Sequence, residues 1–167
     1  MAAVLDINGI KTELKSIFDT ANVVAASPVD LSNGLTQRVK KVLTLNPEMI
    51  RPQASFYNFV TCYILDKNIE SEQIATNQLR VNRGADVTIQ VMGVVFNQNM
   101  ASATDDPADT DINYLMENIE LILRANPTIN NKVKWQRPND VKYFSSNINQ
   151  QNNVRGGILT LTARAYY

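Results

Sequence analysis

The 167-residue sequence specifies an α+β fold: a mainly antiparallel or mixed β-sheet packed by two amphipathic helices. Three observations lead there. Two segments space their apolar residues by threes and fours, the helical period. Three others are rich in β-branched and aromatic residues, and two of these alternate in polarity. Short or medium polar stretches join the strand-like runs, so the chain lacks the strict strand–helix alternation of a parallel sheet. No internal repeat or second composition block divides residues 1–167, which read as a single domain.

The first element is a helix over 6–21. Ile7, Ile10, Leu14, Ile17, Phe18 and Ala21 share one face, Lys11, Glu13 and Lys15 fall towards the other, and Asp6 is its N-cap. Residues 22–34 carry the turn signals Ser27-Pro28 and Asn33-Gly34. Residues 35–45 fit helix or strand, and Thr and Val content favours strand. Pro47 and Pro52 enclose a loop. The run 55–65 reads as a strand buried on much of both faces, with Phe56, Val60, Cys62 and Ile64 opposite Tyr57, Phe59, Tyr63 and Leu65. Residues 66–84 are polar and read as irregular. Residues 85–96 alternate as a strand, with Gly93 a bulge or a point of close contact. An acidic loop over 97–111 leads to the clearest helix, in which Ile112, Leu115, Met116, Ile119, Ile122 and Leu123 align. Thr110 or Asp109 would cap it, and Asn126-Pro127 stops it. Residues 132–144 read as a hairpin turning at Arg137-Pro138-Asn139-Asp140. Residues 145–157 read as a polar loop, with Arg155-Gly156-Gly157 a turn before the last strand. In that strand Leu159, Leu161, Ala163 and Ala165 oppose Thr160, Thr162, Arg164 and Tyr166.

Composition narrows the function. Sixteen Lys plus Arg balance sixteen Asp plus Glu. That balance argues against a dedicated nucleic-acid binder, whose phosphate affinity comes from an excess of cations. There is no histidine, hence no imidazole base, ligand or neutral-pH switch. One cysteine permits neither an intrachain disulfide nor a Cys/His zinc site. No phosphate loop, nucleophile elbow or zinc-protease motif occurs. No cofactor, metal or catalytic residue is expected, and the chain reads as a non-enzyme. Neither a signal-peptide pattern nor a membrane-length apolar run occurs, which predicts a soluble protein made in a reducing cytoplasm. Polarity comes from 29 Asn and Gln, an inventory suited to contacts with other proteins.

The residues that could carry such contacts are few. Asp105, Asp106, Asp109 and Asp111 form an acidic cluster. Its spacing does not match a calcium loop. It reads as a solvated helix cap, with a metal site, a catalytic pair, or charges facing DNA or a basic partner as alternatives. Arg38, Lys40 and Lys41 read as a solvated edge or a partner contact. Trp135 reads as a core residue or an interface anchor. Tyr166 and Tyr167 could divide, one ring on a helix and one on a neighbour. Acid at 105–111 and base at 38–41 would let one subunit meet different neighbours.

Several segments resemble the tail-terminator (tail completion) proteins of long-tailed bacteriophages. They are the helix IKTELKSIF, the turn and basic run DLSNGLTQRVKKVLTL, and the strands RPQASFYNFVTCYIL and ADVTIQVMGVVF. The helix INYLMENIELILRANPTINNKV and the final strand GGILTLTARAYY complete the pattern. The resemblance implies a sandwich of helices on a sheet and a homohexameric ring on the last ring of the tail tube. That ring would stop tube polymerisation and receive the head-side connector or stopper. In contractile tails it would also touch the sheath. DNA would pass through the lumen unread, and the protein would reside in the tail or neck of the virion. A neighbouring neck component, a stopper or adaptor, is the alternative. Arg155 joins the candidate interface residues.

Overall fold

A computed structural model describes residues 5–23, 29–46, 57–71, 83–97, 107–149 and 152–166. The elements in order are α1 (Ile7–Ala21), β1 (Lys41–Leu43), β2 (Phe59–Ser71), β3 (Arg83–Asn97), α2 (Pro107–Ala125), β4 (Trp135–Asn149) and β5 (Asn152–Tyr166). The five strands form one mixed sheet in the order β1-β2-β3-β5-β4. β1 runs parallel to β2, and all other neighbours are antiparallel. The fold is α+β, as expected. No helix among the described residues is long and apolar enough to cross a membrane.

Both helices lie on one face of the sheet, α1 against β1 and β2, and α2 against β3, β5 and β4. α1 begins where Asp6 Oδ1 accepts from the Gly9 amide at 2.8 Å, satisfying one orphan donor of the first turn. Ile10, Leu14, Ile17, Phe18 and Ala21 are buried beneath it. α2 buries Ile112, Leu115, Met116, Ile119, Ile122 and Leu123. From the sheet, Val60, Cys62, Val87, Ile89, Val91, Leu159, Leu161 and Ala163 meet them in one core. Gly93 and Gly157, paired across β3 and β5, bring α2 close. A Cβ would stand 2.9 Å from Leu115 Cδ2 at Gly93 and 2.6 Å from Met116 Cγ at Gly157. Gly93 is thus the close-contact point, and the register passes through it without a bulge.

The other sheet face is divided. At one end Phe59, Met92, Val94 and Val154 form a second apolar cluster. In the middle Tyr63 Oη donates to Gln90 Oε1 at 2.5 Å, and Gln90 Nε2 reaches Thr160 Oγ1 at 3.4 Å. At the far end Arg164 Nη1 lies 3.0 Å from Asp86 Oδ1. That oxygen has no hydrogen bond, so charge rather than directed bonding holds the contact.

Several boundaries depart from the sequence reading. The strand expected over 35–45 has only three residues, because Arg38, Val39 and Lys40 run outside the ladder. Part of the polar stretch 66–84 is strand: β2 continues through Ser71 against Arg83–Thr88 of β3, held by backbone pairing that composition does not report. The irregularity there is a bulge between Ile64 and Asp66. α2 starts at Pro107, so Asp109 and Thr110 lie inside it. Proline suits that first position, whose missing N–H would have no helical partner anyway.

The largest correction concerns residues 132–157. Arg137-Pro138-Asn139-Asp140 is no hairpin turn but a bulge within β4, between Pro138 and Asp140. Proline cannot donate to a ladder, and an edge strand tolerates that loss. The polar stretch after it belongs mostly to β4 and β5, which pair from Trp135↔Arg164 to Asn149↔Asn152. Arg155-Gly156-Gly157 therefore sits inside β5.

Candidate functional site

Among the described residues, strand β4 has a neighbour, β5, on one side only. Its outer backbone edge is long, and such an edge invites contact unless it is guarded. The Pro138 bulge and the exposed Arg137, Asp140 and Lys142 guard its first half. Large rings stand along the strand: Trp135 is 41% exposed, Tyr143 56% and Phe144 39%. The sequence favoured a core position for Trp135. The structure leaves it exposed, while its partner across the ladder, Arg164, occupies the buried space over Gly84.

Beside the second half of β4 an open cleft of about 420 Å³ runs between the strand and the first turns of α2. Asp109, Ile112, Asn113, Tyr143, Phe144 and Arg155 line it. Arg155 Nε donates to Asp109 Oδ1 at 2.5 Å across the cleft, tying β5 to α2. Two expected interface residues thus meet, but as each other's partner. Asp111 is buried and belongs to no acidic surface. Its Oδ1 accepts from the Thr36 amide at 3.2 Å and from Thr36 Oγ1 at 3.1 Å. Asp105, Asp106 and Tyr167 lie outside the described residues, as does the side chain of Tyr166.

The basic group is similarly dispersed. Arg38 Nη1 donates to Asp30 Oδ2 at 2.7 Å, and Nη2 donates to the Asn22 carbonyl at 2.6 Å. The Arg38 hydrogen bond holds the Asp30 carboxyl below the usual carboxylate range, and the Ser32 amide assists. Asp30 in turn raises the Arg38 pKa. Lys40 is exposed, and Lys41 Nζ sits 5.2 Å from the centre of the Tyr57 ring. The separation of acid and base over two surfaces is therefore weaker than the sequence suggested, since each cluster is partly neutralised inside the chain. Cys62 is free and buried, and burial pushes its thiol pKa far up. A protonated, enclosed thiol is a poor nucleophile. Among the described residues no group of three acidic or thiol side chains is placed to hold a metal ion.

Sequence reasoning missed what the amides do. Asn58 is 1% exposed, donates to the Gln37 carbonyl at 2.6 Å and accepts from the Phe96 amide at 3.0 Å. Asn118 donates to the carbonyls of Leu31 and Asn33 at 3.2 and 2.8 Å. At the end of α2, Asn126 Nδ2 donates to the Ile122 carbonyl and Gln136 Nε2 to that of Leu123, at 2.8 and 2.6 Å. These side chains satisfy backbone groups that strands and helices leave open. For Asn118 a signal existed: it falls beside Leu115 and Ile119 on the buried helix face. For Tyr143 and Phe144 the signal was two large rings within a polar run.

Set against known proteins, the chain matches no family model and no curated sequence.

Proposed function

We propose that this chain is a structural virion protein, a tail terminator of a long-tailed bacteriophage. In this reading it forms a ring at the head-proximal end of the tail tube. The ring ends tube growth and offers its other side to the head connector. One observation carries the reading: the helices and sheet complete a core, yet the 15-residue edge strand β4 leaves Trp135, Tyr143 and Phe144 exposed. Aromatic rings are enriched at the energetic centres of interfaces, and a ring of like subunits needs such a surface on each copy. The α+β architecture agrees with the fold that the sequence resemblance implies. The internal use of amides fits a subunit whose own stability needs few buried charges.

The reading is tested by growing tail tubes from the tube protein of the same genome in the presence of this protein. Arrested growth, with a shorter mean tube length at substoichiometric protein, is expected. Unchanged lengths, with the protein absent from tube ends, would remove the reading. Binding to the connector alone, without arrest, would favour a stopper or adaptor instead.

A further inference from the structure

We infer that the ring closes by seating the β4 edge of one copy on the outer face of α2 of the next. The inference rests on the ring reading above and names its seam. A head-to-tail ring needs two different, complementary patches on one chain. The outer face of α2 carries Glu117 and the Glu120–Arg124 ion pair, with Asp109 already held by Arg155, so its net charge is negative, and it exposes Tyr114 at 44% and Leu121 at 43%. The β4 side carries Lys134, Arg137 and Lys142 against one anion, Asp140, with its exposed rings. The two surfaces thus have opposite charge and each presents large apolar side chains. Such pairing steers encounter and disfavours wrong registers.

Their lengths also agree. A 19-residue helix is about 28 Å long, and the ring-bearing part of β4, Trp135 to Phe144, spans about 30 Å. Strand-to-strand docking is less suited to this edge. Pro138 and the bulge interrupt its outer ladder, and the other sheet edge presents Lys40 and Lys41, which repel a basic strand. A helix face accepts side chains without needing a continuous ladder.

The experiment uses sedimentation velocity on the full chain and two charge-reversed variants. One is Arg137→Glu with Lys142→Glu, the other Glu117→Lys with Glu120→Lys. Wild type should associate, and each variant should remain folded by circular dichroism but dissociate, its association weakened about 100-fold or more. An equimolar mixture of the two should reassociate, because the acidic strand then meets the basic helix. Three results would overturn the seam while leaving the ring: variants that associate like wild type, loss confined to the strand variant (a strand-to-strand contact), or a mixture that stays dissociated. A wild type that is monomeric even at millimolar concentration overturns the seam, and the tube-growth assay then decides the ring separately.

Discussion

The β1 edge of the sheet is three residues long and closed by side chains, whereas the β4 edge is fifteen residues long and carries three exposed rings. Around β1, Asn22 Nδ2 donates to the Val39 carbonyl, Ser32 Oγ accepts from the Val39 amide and Thr61 Oγ1 donates to the Leu45 carbonyl, at 2.8, 3.0 and 2.6 Å. Asn58 adds its two bonds. Backbone groups that no strand satisfies are met there by local polar side chains. Along β4 the protective devices are a proline, charges and a bulge in the first half, with a second irregularity only near the end, between Asn147 and Asn149. The contrast separates two edges: one is finished by polar side chains of the chain itself, and the other keeps three large rings exposed.

The contrast breaks most visibly at Asn58. Asn58→Ala should destabilise the fold by about 2–4 kcal/mol, since it removes the bond from the Phe96 amide and the bond to the Gln37 carbonyl and loosens residues 37–40. Urea denaturation measures this, and a loss below about 0.5 kcal/mol would show that the β1 clasp contributes little. Asp111→Ala comes next. It removes the acceptor of the Thr36 amide and hydroxyl and should cost about 1–3 kcal/mol by the same measurement. At the other edge the effects invert. Trp135→Ala should change stability by less than about 1 kcal/mol, because the ring is 41% exposed. It should nonetheless weaken self-association about thirty-fold, as expected for an interface anchor. Equal loss of stability and association would place Trp135 with the core rather than with the partner surface.

The smallest effect is pH-dependent. Asp30 has a folded pKa below its ordinary value of 3.8, chiefly through Arg38. A depressed carboxylate contributes stability above its unfolded pKa and loses it as pH falls through the folded value. The stability difference between wild type and Asp30→Asn should therefore be full at neutral pH and shrink below about pH 4. A difference that stays constant down to pH 2 would contradict the assignment.

How much of this was legible depended on what each residue reports. Periodicity reports packing against a core, so α1, α2 and the apolar centres of β2, β3 and β5 could be read directly. The alternation of Leu159, Leu161 and Ala163 against Thr160 and Thr162 matches the two faces seen. Pairing between polar strands leaves no such trace. Asp66–Ser71, the 145–149 end of β4 and the 152–157 start of β5 are held by backbone bonds to neighbours that composition does not name, so they read as loops. Pro138-Asn139 carries a true irregularity signal, but a turn and an edge bulge draw on the same residues. The site was legible only in part. Trp135 was identified and its two possible roles stated, while Tyr143 and Phe144 were hidden in a segment read as the far arm of a hairpin. The charged clusters misled for a physical reason: Asp109 meets Arg155 and Arg38 meets Asp30 through tertiary contacts far apart in sequence or across a turn.

We propose β4 as the surface through which copies of this chain meet in a ring on the tail tube. Electron cryomicroscopy of tube ends formed with the protein tests it most directly. A closed ring at one tube end is expected, with Trp135, Tyr143 and Phe144 of each copy buried against the next. Bare tube ends, or a ring whose β4 strands face solvent, would contradict it.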